Sequence, residues 1–228
     1  ARRPGRVVRR HSEPRRRRRR RRDVAGEVVW FDPEAPFVPA EDLRLRGAHN
    51  AGNVAAAAAA AARLGVSADD AARAARGFAG LPHRLQTVHV AAGVSWVDDS
   101  IATTPRSACA ALDAFVEDVV LLAGGVENGV AVEALAARAA ERARVAVTFG
   151  ASGPRLARAL RAAGHVRVVE ASDLAEAVAV ARDAARSGEV VLLAPAFPSY
   201  DAFRNYVERG ERFRALAMDP LKGGPSSH

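Results

Sequence analysis

The sequence predicts an α/β protein built on a mostly parallel sheet with flanking helices, and two patterns predict it. From residue 81 onward, short runs that are apolar at every position alternate with stretches of helical periodicity. Strands buried on both faces and separated by helices are the mark of βαβ units. The runs also end in Gly, Ser or Pro, which places small-residue loops at the carboxyl edge, where open α/β sheets bind ligands.

Before residue 81 the chain reads differently. Residues 1–22 hold thirteen arginines and one acid, Glu13, and include the uninterrupted run Arg15–Arg22. Adjacent like charges repel and bury no face, so this segment is expected to be disordered. It reads as a solvated tail, as a GC-rich stretch translated from the wrong start or frame, or as a nucleic-acid or anionic-membrane arm. The net charge of +8 resides in that segment; the rest holds 21 basic and 25 acidic residues, so a nucleic-acid footprint on the folded surface is not expected. Glu27–Phe31 is β-prone, and Pro33, Pro36 and Pro39 then break the pattern. Asn53–Arg63, with eight alanines in 55–62, is a helix by propensity. Ser67-Ala-Asp-Asp70 is a capping-type start for a second helix ending near Gly77 or Gly80.

The alternating region follows. Leu85–Val90 and Val94–Val97 are short strands, Pro105–Phe115 a helix, Val119–Leu122 a strand ending at Gly124-Gly125, and Val132–Arg142 a helix. Val145–Phe149 is a strand, Pro154–Ala163 a helix, Val166–Val169 a strand, Leu174–Arg186 a helix, Val190–Leu193 a strand, and Tyr200–Met218 the last helix. The Gly/Pro/Ser-rich end, 220–228, is expected to be disordered.

Composition excludes several chemistries. Lys222 is the only lysine and lies in that terminal stretch. No GxxxxGK[ST] phosphate loop and no Schiff-base lysine is available. One cysteine, Cys109, provides neither a disulfide framework nor a cysteine-based zinc site. The six histidines lack metal-binding spacing, and no GxSxG elbow occurs. No apolar run approaches the ~18 residues of a membrane span.

Four segments carry more polar residues than a core requires. In Arg46-Gly-Ala-His-Asn50 with Asn53, two amides at i,i+3 can face one ligand or serve as a helix cap and a turn. In Leu81-Pro-His-Arg84, the arginine can clamp a phosphate or form a salt bridge across a linker. Asp98-Asp-Ser-Ile-Ala-Thr-Thr-Pro105 brings two acids and three hydroxyls to a helix start. A cap needs only one of them, so the surplus points to ribose, metal or anion binding. The fourth is 195–213, PAFPSYDAFRNYVERGERF, in which Tyr200, Phe203 and Tyr206 have the spacing of a packing stripe and Ser199 and Asp201 that of caps. Gly124-Gly125 reads equally as a tight turn.

In order and spacing, RGAHNAGNVAAA, GLPHRLQ, VDDSIATTP, LLAGG and LLAPAFPSYDAFRNYVERGERF resemble the Mur ligases, most closely the glutamate-adding branch, over about residues 44–217. The resemblance implies a Rossmann-like Mur ligase C-terminal domain at 81–219, preceded at 23–80 by a remnant of the central ATPase domain. It implies a cytoplasmic, monomeric, ADP-forming ligase of peptidoglycan biosynthesis that joins glutamate to UDP-N-acetylmuramoyl-L-alanine, using ATP and Mg2+, through an acyl phosphate. D-glutamate is the expected enantiomer, with L-glutamate left open. Carried over by motif, Asn50, Asn53, Arg84 and Asp99 would bind nucleotide, and Thr103, Ser199 and Tyr206 would face glutamate. No catalytic group or metal ligand is carried over; these belong to regions of the family that this chain does not match, so the chain alone is expected to be inactive. Tyr206 stands where phenylalanine is common. Ile101 and Asn128 stand at or near positions where the family has lysines, which removes two cations from the glutamate site. Two other readings stay open: a ligase for another amino acid, although no DNPR-type motif occurs, and a standalone nucleotide- or amino-acid-binding protein with a basic nucleic-acid-binding arm.

Overall fold

The computed structural model describes residues 7–10, 28–32, 35–165 and 167–219. The chain divides into two compact units, Ala1–Gly80 and Leu81–His228. The expected disordered segment 220–228 and the arginine run Arg15–Arg22 lie outside the described residues.

In the first unit, β1 (Val7–Arg10) pairs in parallel with β2 (Val28–Phe31). Val7–Arg10 falls within the segment 1–22 expected to be disordered, and its backbone pairs Val7 with Val28 and Val8 with Val29. The alanine helix α1 spans Ala48–Ala62 and begins five residues before the expected start at Asn53. Its N-cap is Gly47, at φ 89°, a left-handed turn that glycine takes without a Cβ clash. The second helix, α2 (Ala68–Gly77), is capped as its sequence suggests: Ser67 Oγ accepts from the Asp70 N–H.

The second unit is a six-stranded sheet of order β3-β4-β8-β5-β6-β7. Its strands are β3 (Gln86–Ala91), β4 (Val94–Asp98), β5 (Val119–Gly124), β6 (Ala143–Phe149), β7 (Val168–Glu170) and β8 (Val190–Leu193). All neighbours are parallel except β3 and β4. That antiparallel pair is a hairpin closed by Ala92 (φ 51°) and Gly93 (φ 75°), the two-residue turn with positive φ that matches strand twist.

The intervening helices are α3 (Pro105–Leu112), α4 (Glu133–Arg142), α5 (Gly153–Ala162), α6 (Leu174–Ala184) and α7 (Tyr206–Met218). Alternate residues of the central strands feed two cores. Val119, Leu121 and Leu192 pack with Leu112 of α3, Leu135 of α4 and Leu156 of α5. Val120, Leu122 and Leu193 pack with Val178 of α6 and Phe213 of α7. The result is a three-layer α/β sandwich.

This layering positions the site. β4, β5 and β6 lead into α3, α4 and α5 on one face, while β7 and β8 lead into α6 and α7 on the other. Central β8 is flanked by β4 and β5, whose loops leave toward the opposite face. Crevices therefore open on both sides of the carboxyl end of β8, the place where doubly wound sheets take ligands. The last helix is shorter than expected: it starts at Tyr206, not Tyr200, because Asn205 caps it by accepting from the Glu208 N–H.

Candidate functional site

The carboxyl ends of β4, β8 and β5 are in register at Asp98, Leu193 and Leu122. Beyond them, loop chemistry replaces ladder chemistry. Asp99 donates its N–H to the Leu193 carbonyl, and its Oδ1 accepts the Leu85 N–H at 3.1 Å. Ile101 N–H donates to the His83 carbonyl at 3.2 Å. Arg84, between those two pinned residues, is thus held beside Asp99 with its own side chain exposed. His83 and Leu85, on either side of it, have φ of 61° and 45°. Ala196, in the loop after β8, has φ 66°. Side chains other than glycine are rarely held there, and such positions concentrate at ligand sites.

Asp99 is buried, and burial pushes its carboxyl up to about 7, against the Leu85 N–H and the Arg84 charge, which favour ionisation. Asp98, behind it, is also raised by burial, opposed by His83 and the Ser100 N–H. His83 Nδ1 lies 2.7 Å from Asp98 Oδ2, and the His83 ring meets Tyr206 edge-on, with centroids 6.1 Å apart.

The surplus of polar groups before α3 is divided by role. Thr104 and Ser107 form the capping box, and Pro105 takes the first turn. Capping therefore accounts for neither Thr103 nor Asp99. Thr103 is drawn toward the β8 loop because the neighbouring Ala102 carbonyl accepts the Ala196 N–H at 2.8 Å. Ser199 is 2% exposed, and its carbonyl accepts from Ala202 and Phe203, closing a turn. That turn removes the proposed aromatic stripe: Tyr200 is 74% exposed, and of Tyr200, Phe203 and Tyr206 only Tyr206 lies in α7. Gly124 and Gly125 form more than a reversal. A Cβ on Gly125 would collide with the Pro198 carbonyl, and the Val126 N–H donates to that same oxygen at 3.0 Å.

Sequence reasoning missed the centre of this edge. Arg209, on α7, is fully buried. Its Nε donates to Ser100 Oγ (3.0 Å), Nη2 to the Ser100 carbonyl (3.0 Å), and Nη1 to the carbonyls of Phe197 (3.0 Å) and Gly124 (3.5 Å). Burial lowers its pKa to about 10, so it stays charged at neutral pH. One guanidinium thereby ties the ends of β4, β5 and β8 together.

The fold thus gathers Arg84, Asp99, Thr103, Ser199 and Tyr206 along one sheet edge. Asn50 and Asn53 belong to the first unit, inside the first two turns of α1. Neither caps the helix: Asn50 Nδ2 donates to the Arg46 carbonyl at 2.7 Å, and Asn53 Nδ2 donates to Asn50 Oδ1 at 3.1 Å. Asn50 is buried and Asn53 exposed. Ile101 is half-buried, and the exposed Asn128 side chain folds back, its Oδ1 accepting the Val130 N–H at 3.3 Å.

A profile of the family described as Mur ligase, glutamate ligase domain, matches residues 83–197. Over 184 residues the chain is 40% identical to the UDP-N-acetylmuramoylalanine–D-glutamate ligase of Symbiobacterium thermophilum, covering 80% of this chain and 40% of that protein. It is 43% identical over 204 residues to the UDP-N-acetylmuramoyl-L-alanine–L-glutamate ligase of Xylella fastidiosa, covering 86% of this chain and 43% of that one. The fold is similar to the UDP-N-acetylmuramate-alanine ligase of Thermotoga maritima, with a TM-score of 0.59 at 20% identity over 75% of this chain and 38% of that one. The chain spans about two fifths of the length of the curated relatives it matches.

Proposed function

The chain belongs to the Mur ligase family, and from that premise we propose that it is the part of an ATP-dependent, ADP-forming ligase that carries the amino-acid site and closes over the nucleotide. The substrates are glutamate and UDP-N-acetylmuramoyl-L-alanine, and the setting is cytoplasmic peptidoglycan synthesis. The observation that carries this reading is the pinning of Arg84 and Asp99 to one another's segments at a sheet edge shared with Thr103, Ser199 and Tyr206.

In this reading Arg84 meets nucleotide phosphate and Asp99 accepts the ribose hydroxyls. Asn50 and Asn53 are the proposed nucleotide contacts within the first unit, the proposed end of the central ATPase domain; 81–219 is the proposed C-terminal domain. ATP phosphorylates the substrate carboxylate, the glutamate amine attacks the acyl phosphate, and the tetrahedral intermediate expels phosphate. Thr103, Ser199 and Tyr206 orient glutamate so that its amine faces the acyl carbon, a contribution of positioning. Among the described residues no group of three or more His, Cys, Asp or Glu side chains gathers to hold a cation. By the family resemblance, Mg2+ is assigned to the regions of the relatives that this chain does not match, together with the phosphate loop, and no step here runs through it. Among the described residues no helix is long and apolar enough to cross a membrane.

The test joins residues 44–217 to the preceding regions of the Symbiobacterium relative. Phosphate release should require both UDP-N-acetylmuramoyl-L-alanine and glutamate, and D- and L-glutamate assayed side by side assign the enantiomer. The 228-residue chain alone should release none. A folded hybrid that stays at background with both enantiomers, while the relative itself turns over, would overturn the reading.

A further inference from the structure

Among the described residues, four buried side-chain atoms have no hydrogen-bond partner: Thr148 Oγ1, Ser152 Oγ, Arg155 Nη2 and His165 Nε2. Three of the four occur together, at the end of β6 and the first turn of α5. Leaving a buried polar group unpaired costs ~1–3 kcal/mol, so a group of three at one place calls for an occupant.

Their arrangement is specific. Thr148 and Ser152 are fully buried. Ser152 holds the N-cap position of α5, yet its hydroxyl makes no cap bond. Thr148 Oγ1 lies under the same turn, 3.8 Å from where a Cβ on Gly153 would stand. Arg155 is fixed by its other nitrogens: Nε donates to Glu127 Oε2 at 2.8 Å and Nη1 to the Val130 carbonyl at 2.9 Å. Its guanidinium carbon sits 5.8 Å from the Phe197 ring centroid. The third nitrogen, Nη2, is oriented by these contacts and has nothing to donate to.

A guanidinium N–H and two hydroxyls at a helix N-terminus are the donor set for an anion, and a planar carboxylate matches it. The location adds the identity. Arg155 grips the 127–130 turn, which contains Asn128, near which the resemblance expects a lysine, and it stacks on Phe197, two residues before Ser199. We propose that Arg155, with Ser152, binds a carboxylate of the incoming glutamate and supplies the cation that Asn128 does not. The proposal rests on the glutamate-site reading above. Glu127, which also accepts the Gly129 N–H, orients the guanidinium and offsets part of its charge.

The experiment titrates the 15N-labelled 228-residue chain with D- and with L-glutamate. It follows the Arg155 Nε–Hε resonance and the amides of Ser152 and Arg155. The expected result is a shift of these signals by one enantiomer, at least tenfold weaker binding in R155Q, recovery in R155Q/N128K, and tighter binding in E127Q, which keeps the acceptor and removes the competing charge. Equal affinity of the wild type and R155Q overturns the role of Arg155 and leaves the glutamate site standing. If R155Q loses its folded spectrum, E127Q decides, and unchanged or weaker binding there overturns the proposal. Absence of any shift in the wild type with either enantiomer overturns the glutamate-site reading itself.

Discussion

Arg209 and Ser100 are joined twice across 109 positions of sequence, Nε to Oγ and Nη2 to the carbonyl, each at 3.0 Å. With its further bonds to Phe197 and Gly124, the guanidinium satisfies oxygens that water cannot reach. Arg209→Leu should leave them unpaired and lower stability by about 3–5 kcal/mol. The melting temperature of the 228-residue chain should fall by roughly 10 °C, and a loss under 2 °C would refute the account.

Gly210 sits on a packed face of α7. A Cβ there would collide with His83 Nδ1 and stand 2.6 Å from Asp98 Oδ2. Alanine is the better helix former by about 1 kcal/mol, yet Gly210→Ala should destabilise. Gly77, at the end of α2, has open space around it, so Gly77→Ala should be neutral or stabilising by up to about 1 kcal/mol. Denaturant melts should show Gly210→Ala destabilised and Gly77→Ala unchanged or stabilised; a stabilised Gly210→Ala would contradict the packing.

Asp99 ties stability and binding to pH with opposite signs. Its folded pKa, about 7, lies above the ordinary carboxylate value of 3.8. Its contribution to stability is therefore fully present below about pH 4 and is lost as pH rises through 7. Asp99→Asn should flatten that part of the pH–stability profile. Nucleotide binding to the ionised carboxylate should run the other way, tightening from pH 6 to pH 8. ADP affinity across that range, for the wild type and Asp99→Asn of the hybrid ligase, checks both signs.

Arg84 is exposed while its backbone neighbours are pinned. Arg84→Ala should weaken ADP binding about tenfold or more in the hybrid, in keeping with ~1.5–3 kcal/mol for a charged hydrogen bond, and leave the melting temperature of the 228-residue chain within about 1 °C. A drop in stability without a drop in affinity would make Arg84 a structural residue.

Much of the sheet was legible because strands buried on both faces have a plain pattern: Val190–Leu193 has the bounds its apolar run suggests. Ends were harder. The Tyr200, Phe203, Tyr206 spacing imitates a helix, but the Ser199 carbonyl closes a turn, and the true signal was the Asn205-to-Glu208 cap. The antiparallel edge was signalled only by Ala92-Gly93. Arg209 was illegible by charge, since arginines normally face water. Its one clue is register, because it shares the buried stripe of α7 with Gly210, Phe213 and Ala217. The gathering of Arg84 and Asp99 depends on backbone bonds between distant segments, which no local pattern announces.

Three of the four oxygens that Arg209 grips are main-chain carbonyls, and these are present whatever side chain a position bears. The loops after β5 and β8 can therefore exchange residues over evolutionary time while the scaffold beneath them stays constant. On the reading proposed above, a point change at Ile101 or Asn128 alters the glutamate site and leaves in place the hub that holds the rim.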